Sequence, residues 1–148
     1  MKPDPQAVLG YLTELTLTQV APKVRPPYLA GTIGMIGTAL AVLTEEWDRA
    51  ASRLVAENRA VRAIFRKAET LSLDSALAAE LRALAGGDDE DLRLSALDAG
   101  NSALRHALIR LQTAIETRED APAKGLNEAI WAELVAETER RKLAGSPF

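Results

Sequence analysis

Few residues in this 148-residue chain have the type and spacing to do chemistry. The single histidine, His106, sits about 160° around its predicted helix from Leu104, which turns it toward solvent. One histidine without cysteine supports neither a zinc site nor a hydrolytic triad, and the Glu-x-x-His pairs of a di-iron bundle do not occur. The acidic run Asp88–Asp91 lacks the central glycine and distant glutamate of a calcium loop. It reads instead as a helix start, where negative charge meets the positive end of the helix dipole.

Three further groups could bind rather than react. Gly31, Gly34 and Gly37 would suit a phosphate loop only after a strand, and nothing upstream reads as one. Close helix packing is the better reading, with Gly34 touching a neighbouring helix. Arg59, Arg62 and Arg66 line one flank of a helix, with Lys67 further round the same side. That strip could hold a phosphate-bearing ligand or an acidic partner, although solvated charged faces are commoner. Asn58 falls inside an apolar stripe between Leu54 and Val61, so its amide needs a buried partner. It either fixes helix register or lines a polar spot in a ligand pocket; the register role is preferred, with Asn101 as the natural partner.

All these groups lie on or near helices. Ile33, Ile36, Leu40, Leu43, Trp47, Ala50, Leu54, Val61, Phe65 and Ala68 recur at helical steps, and no Gly or Pro interrupts Thr38–Thr70. The spacing predicts one central helix over about 28–70, roughly 60 Å long. Pro26–Thr44 carries no charge, so this half is expected to be enclosed by neighbouring helices or a second subunit. Its length would also suit a membrane span. Its prolines, glycines and threonines, and its continuation into a charged amphipathic helix, favour a buried core helix and no membrane.

Asp4 and Pro5 predict an N-cap and first turn for an opening helix ended by Pro22, followed by a stiff proline-rich connector over 21–28. Leu77, Leu81 and Leu84 mark a short helix stopped at Gly86-Gly87. A second long helix is expected over about 89–117, and a last helix, carrying Ile130, Trp131, Leu134 and Val135, is expected to be capped by Asn127 after a polar 118–124 loop. The expectation is therefore an all-α, five-helix bundle in one domain, 1–148.

Composition narrows the functional classes. A net charge of −3 argues against a nucleic-acid binder, and the absence of cysteine excludes thiolate chemistry. The first residues show no signal-peptide core, so a cytoplasmic protein is expected. With no convergent pair of catalytic groups, no enzyme activity and no cofactor are expected.

The Pro-Asp-Pro-Gln-Ala-Val-Leu-Gly-Tyr-Leu opening, the Val20-Ala21-Pro22 break and the stretch Ala39–Glu46 resemble a small bacterial helical family of unknown function. Its members are encoded beside acyl-CoA dehydrogenases and phosphotransferase-like proteins. The resemblance covers the first half of the chain, rests on apolar spacing, and carries over no functional residue. It implies an accessory role in acyl-CoA metabolism.

Two functions follow as expectations. One is a non-enzymatic protein acting through protein–protein contacts, including an enzyme partner. It would form a homodimer through the apolar back of the long helix near Gly34, Met35 and Val42. The alternative is a bundle that binds an acyl or CoA-like small molecule between its helices.

Overall fold

The computed structural model describes residues 4–144. The fold is all-α: five helices organised around one long helix, with no strand among the described residues. They are α1 (Pro5–Glu14), α2 (Pro27–Ala68), α3 (Ser75–Ala85), α4 (Leu94–Ile115) and α5 (Ala121–Arg141). Two compact units divide the chain. The first takes the described residues up to Ala50 with Leu143 and Ala144; the second takes Ala51–Lys142. Helix α2 contributes to both.

In the first unit, Asp4 caps α1 by accepting from the Gln6 and Ala7 amides at 3.1 and 3.3 Å, with Pro5 in the first turn where no amide is needed. Past Glu14 the chain does not break but widens into a π-helical turn, Leu15–Val20, then tightens into a 3₁₀ turn, Ala21–Lys23. Only Val24–Pro26 is non-helical before α2, so the proline connector is shorter than its sequence suggests. The Leu17 side chain lies across Gly37, where a Cβ would stand 2.6 Å from Leu17 Cγ. The chain returns at Ala144, whose amide donates to the Glu45 carboxylate at 3.0 Å.

The second unit holds the core. On α2, Leu54, Asn58, Val61, Phe65 and Ala68 follow steps of four and three; on α4, Leu97, Asn101, Leu104, Leu108, Leu111 and Ile115 do the same. All are buried, so each helix presents one continuous seam. Leu81 and Ala85 of α3 and Ala123, Leu126 and Ile130 of α5 join the same cluster.

Two boundaries differ from expectation for local reasons. Helix α4 starts at Leu94, after the acidic run, because Asp89 is drawn to α2 and Asp91 is held by Arg93, whose own amide donates to Asp91 at 3.0 Å. Helix α5 starts at Ala121, not at Asn127, because Asp120 accepts from the Ala123 amide at 3.1 Å and Pro122 is harmless in a first turn. Asn127 lies inside that helix. Trp131 and Val135 face outward, and α5 is anchored in the core by Ile130 together with Ala123 and Leu126.

The largest departure concerns the uncharged half of α2, which the chain does not enclose. The predicted inward stripe is buried from Ala50 onward, yet Ile36, Leu43 and Trp47 are about half exposed or more. Gly34 has open space where a side chain would be; the close approach is at Gly37. Where Leu17 crosses it, only the Gly37 side of α2 is shut off.

Candidate functional site

Two regions could carry function, one in each unit. The first is a polar network inside the second unit, built on adjacent residues of α2. Glu57 and Asn58 are 2% and 0% exposed. Asn101 Nδ2 donates to Asn58 Oδ1 at 2.9 Å. Asn58 Nδ2 donates in turn to Asp89 Oδ1 at 2.9 Å and to the Leu97 carbonyl at 3.4 Å. Every polar atom of Asn58 therefore has a partner in the chain. Asn101 lies within the α4 seam between Leu97 and Leu104, which is how the two amides meet.

Glu57 is held from α5. Arg141 donates to both of its oxygens, at 3.1 Å from Nε and 2.8 Å from Nη2, and Arg53 stands 3.8 Å away one turn earlier on α2. Glu137 pairs with Arg141 at 2.9 Å and with Arg105, while Arg105 Nε donates to Asn101 Oδ1 at 3.0 Å. Loss of water around Arg105, and the Arg141 charge, make its guanidinium easier to deprotonate than usual, although Glu57 and Glu133 oppose this. A buried carboxylate forked by an arginine is satisfied and specific, but removal of either partner leaves an expensive charge.

The arginine flank does not form an open strip. Arg62 donates to both Asp89 oxygens at 2.9 Å and to the Asp88 carbonyl at 3.3 Å. Arg66 donates to the Ala85 carbonyl at 3.0 Å, at the negative end of α3. Arg59 borders, with Arg62 and Arg66, a cavity of about 270 Å³ floored by Gly87 and Asp88. Lys67 is exposed and does not line that cavity. The Arg62 hydrogen bond, then the Asn58 amide and the Arg62 and Arg59 charges, hold the Asp89 carboxyl below its ordinary value, against the opposing effect of burial. Arg62 thus fastens the 87–93 segment to α2 and Arg66 fastens the end of α3, and an anion there would compete with Asp89.

A second cavity, about 340 Å³, lies between the end of α2 and α3, lined by Phe65, Ala68, Leu71, Leu73 and Leu81 with Glu69 and Arg82 at its polar side. His106 is exposed. Among the described residues no three His, Cys, Asp or Glu side chains converge as metal ligands.

The second region is the apolar surface of the first unit. Tyr28 and Met35 are 74% and 67% exposed, and Leu29, Ile36, Leu43 and Trp47 also stand out from α2. Tyr28, Thr32, Met35, Ala39 and Val42 follow helical steps along the side facing away from Gly37. Gly34 lies at the edge of this stripe, not within it. Thr32 and Thr38 donate to the Tyr28 and Gly34 carbonyls at 3.0 and 3.1 Å, so their hydroxyls are already bonded to their own helix. Helix α2 is also long and apolar enough, by length and composition, to cross a membrane.

Sequence reasoning paired Asn58 with Asn101 and placed Met35 and Val42 on the outward side of α2. It missed Glu57, Asp89, Arg105 and Arg141. Glu57 carried a readable signal, since it is three residues after Leu54 and next to Asn58. The others become visible only once α4, α5 and the 87–93 segment are in place. Compared with family models, with curated proteins and with solved structures, the chain matches none.

Proposed function

We propose that this chain is a non-enzymatic, cytoplasmic interaction protein that works through the apolar surface of its first unit, as a homodimer that serves as an accessory to an enzyme of acyl-CoA metabolism. The observation that carries the interaction is the row of large apolar side chains from Tyr28 to Trp47, left exposed on a helix without a charge between Pro26 and Thr44. Contiguous apolar surface of this kind marks an interface. The family resemblance in the first half supplies the acyl-CoA setting.

The polar network serves this function indirectly. The carboxylates and amides of Glu57, Asn58, Asp89 and Asn101 are all hydrogen-bonded within it, so it specifies how α2, α4 and α5 align and leaves the ligating surface elsewhere. Sedimentation of wild type and Met35→Asp tests the proposal. The wild type is expected to self-associate and the variant, folded by circular dichroism, to be monomeric. Identical sedimentation of the two would refute a role for this surface.

The 340 Å³ cavity beside Phe65 favours a second reading, a binding site for a small apolar ligand with Arg82 available to its polar end. Calorimetric titration with short acyl-CoA thioesters and free fatty acids tests it: saturable heat lost in Leu81→Trp supports it, and no heat in wild type rejects it.

A further inference from the structure

We infer that the occupant of the exposed α2 stripe is a second copy of the same helix, running antiparallel across a two-fold axis near Met35 and Ile36. This rests on the reading above that the stripe is a self-association surface, and adds its geometry.

The charge distribution points to that arrangement. The uncharged stretch is bounded on its N-terminal side by Lys23 and Arg25, both exposed, and on its C-terminal side by Glu45, Glu46 and Asp48, which outnumber Arg49, the partner of both glutamates, and leave that end net acidic. Glu46 lies a whole number of turns from Tyr28, on the same side of α2 as the stripe. A parallel pair would set base against base and acid against acid. The antiparallel pair sets Arg25 beside Glu46 of the other copy at both ends, and Tyr28 beside Leu43. The stripe is self-complementary in one direction only. Between the charged ends, roughly 27 Å of helix offers apolar side chains, and the Thr32 and Thr38 hydroxyls there are already bonded to their own helix, so burying these two costs no hydrogen bond.

A lipid bilayer is the competing occupant, and the first unit argues against it. Leu17 crosses α2 at Gly37, near the middle of the uncharged stretch. Glu14, exposed, is three residues from Leu17, no more than about 5 Å along its helix. A bilayer that took α2 would draw this carboxylate toward its centre, which is costly. A protein surface on the opposite side of α2 leaves Glu14 in water.

The chain has no cysteine, so single cysteines report the pairing cleanly. On mild oxidation, Met35→Cys should form a disulfide dimer and Tyr28→Cys should not. A mixture of Tyr28→Cys and Leu43→Cys should give the mixed dimer, because disulfides need Cα atoms within about 7 Å. At low salt, Arg25→Glu and Glu46→Lys should each weaken the dimer roughly 3- to 10-fold, and their combination in one chain should restore it. Self-crosslinking of Tyr28→Cys within an intact dimer would overturn the antiparallel geometry and leave the proposed function standing. A wild type that stays monomeric at about 100 μM, or that co-sediments with anionic phospholipid vesicles as a monomer, would overturn both.

Discussion

Asn101 donates through Nδ2 to Asn58 Oδ1 at 2.9 Å, and this bond joins the seams of α4 and α2 at the one level where each seam is polar. A slip of either helix by one turn would place an amide against leucine. The pair therefore selects a register, as a buried asparagine does in a coiled coil. Asn58→Leu or Asn101→Leu leaves buried polar groups without partners and should cost about 1–3 kcal/mol each in urea unfolding. The double variant should cost less than the two together, because the residues act as one unit. Simple additivity would show that the bond does not couple them.

Asp89 should confer an acid limit on the second unit. Its carboxyl titrates below the ordinary value of 3.8 because of the Arg62 hydrogen bond first, so the folded state holds this proton less readily than the unfolded state. The contribution is complete above that ordinary value and is lost as pH falls through the lower, folded value. Asp89→Asn should destabilise the protein at pH 7 by about 2–3 kcal/mol, since Arg62 loses its counter-charge. Its stability should also fall less steeply than wild type as pH falls below the ordinary carboxyl value of 3.8. Parallel acid profiles would exclude Asp89 as the titrating group.

The glycines separate by position. Gly125 is exposed on the outer side of α5 with open space around it, so Gly125→Ala should stabilise by about 0.5–1 kcal/mol through helix propensity alone. At Gly37 the new methyl would overlap Leu17, and Gly37→Ala should instead destabilise by about 1 kcal/mol. Thermal unfolding of both variants checks the contrast. An equal gain at both sites would mean that Leu17 swings aside without cost.

Periodicity made much of this legible. The seam of α2 from Ala50 onward, the α3 glycine stop and the demand of Asn58 for a partner all follow from spacing, because a residue's place on a helix decides its exposure once neighbours exist. Spacing alone leaves the first half of α2 undecided between cover by neighbouring helices and cover by a second subunit, and the chain itself does not supply the cover. Composition says that a surface avoids water; it does not say whether the chain itself supplies the cover. The acidic run was misread for a related reason. Dipole logic is local and places Asp89 at a helix start, whereas the partly buried Arg62 and the buried Asn58 offer that carboxylate stronger partners from 27 and 31 residues away.

The central claim, that the exposed α2 stripe is covered by a second copy, is tested most directly by the mass of the wild-type protein in solution. Light scattering at micromolar concentration should give twice the chain mass of 15.9 kDa, falling to the chain mass in Met35→Asp. A wild-type mass that stays at 15.9 kDa as concentration rises would contradict the account.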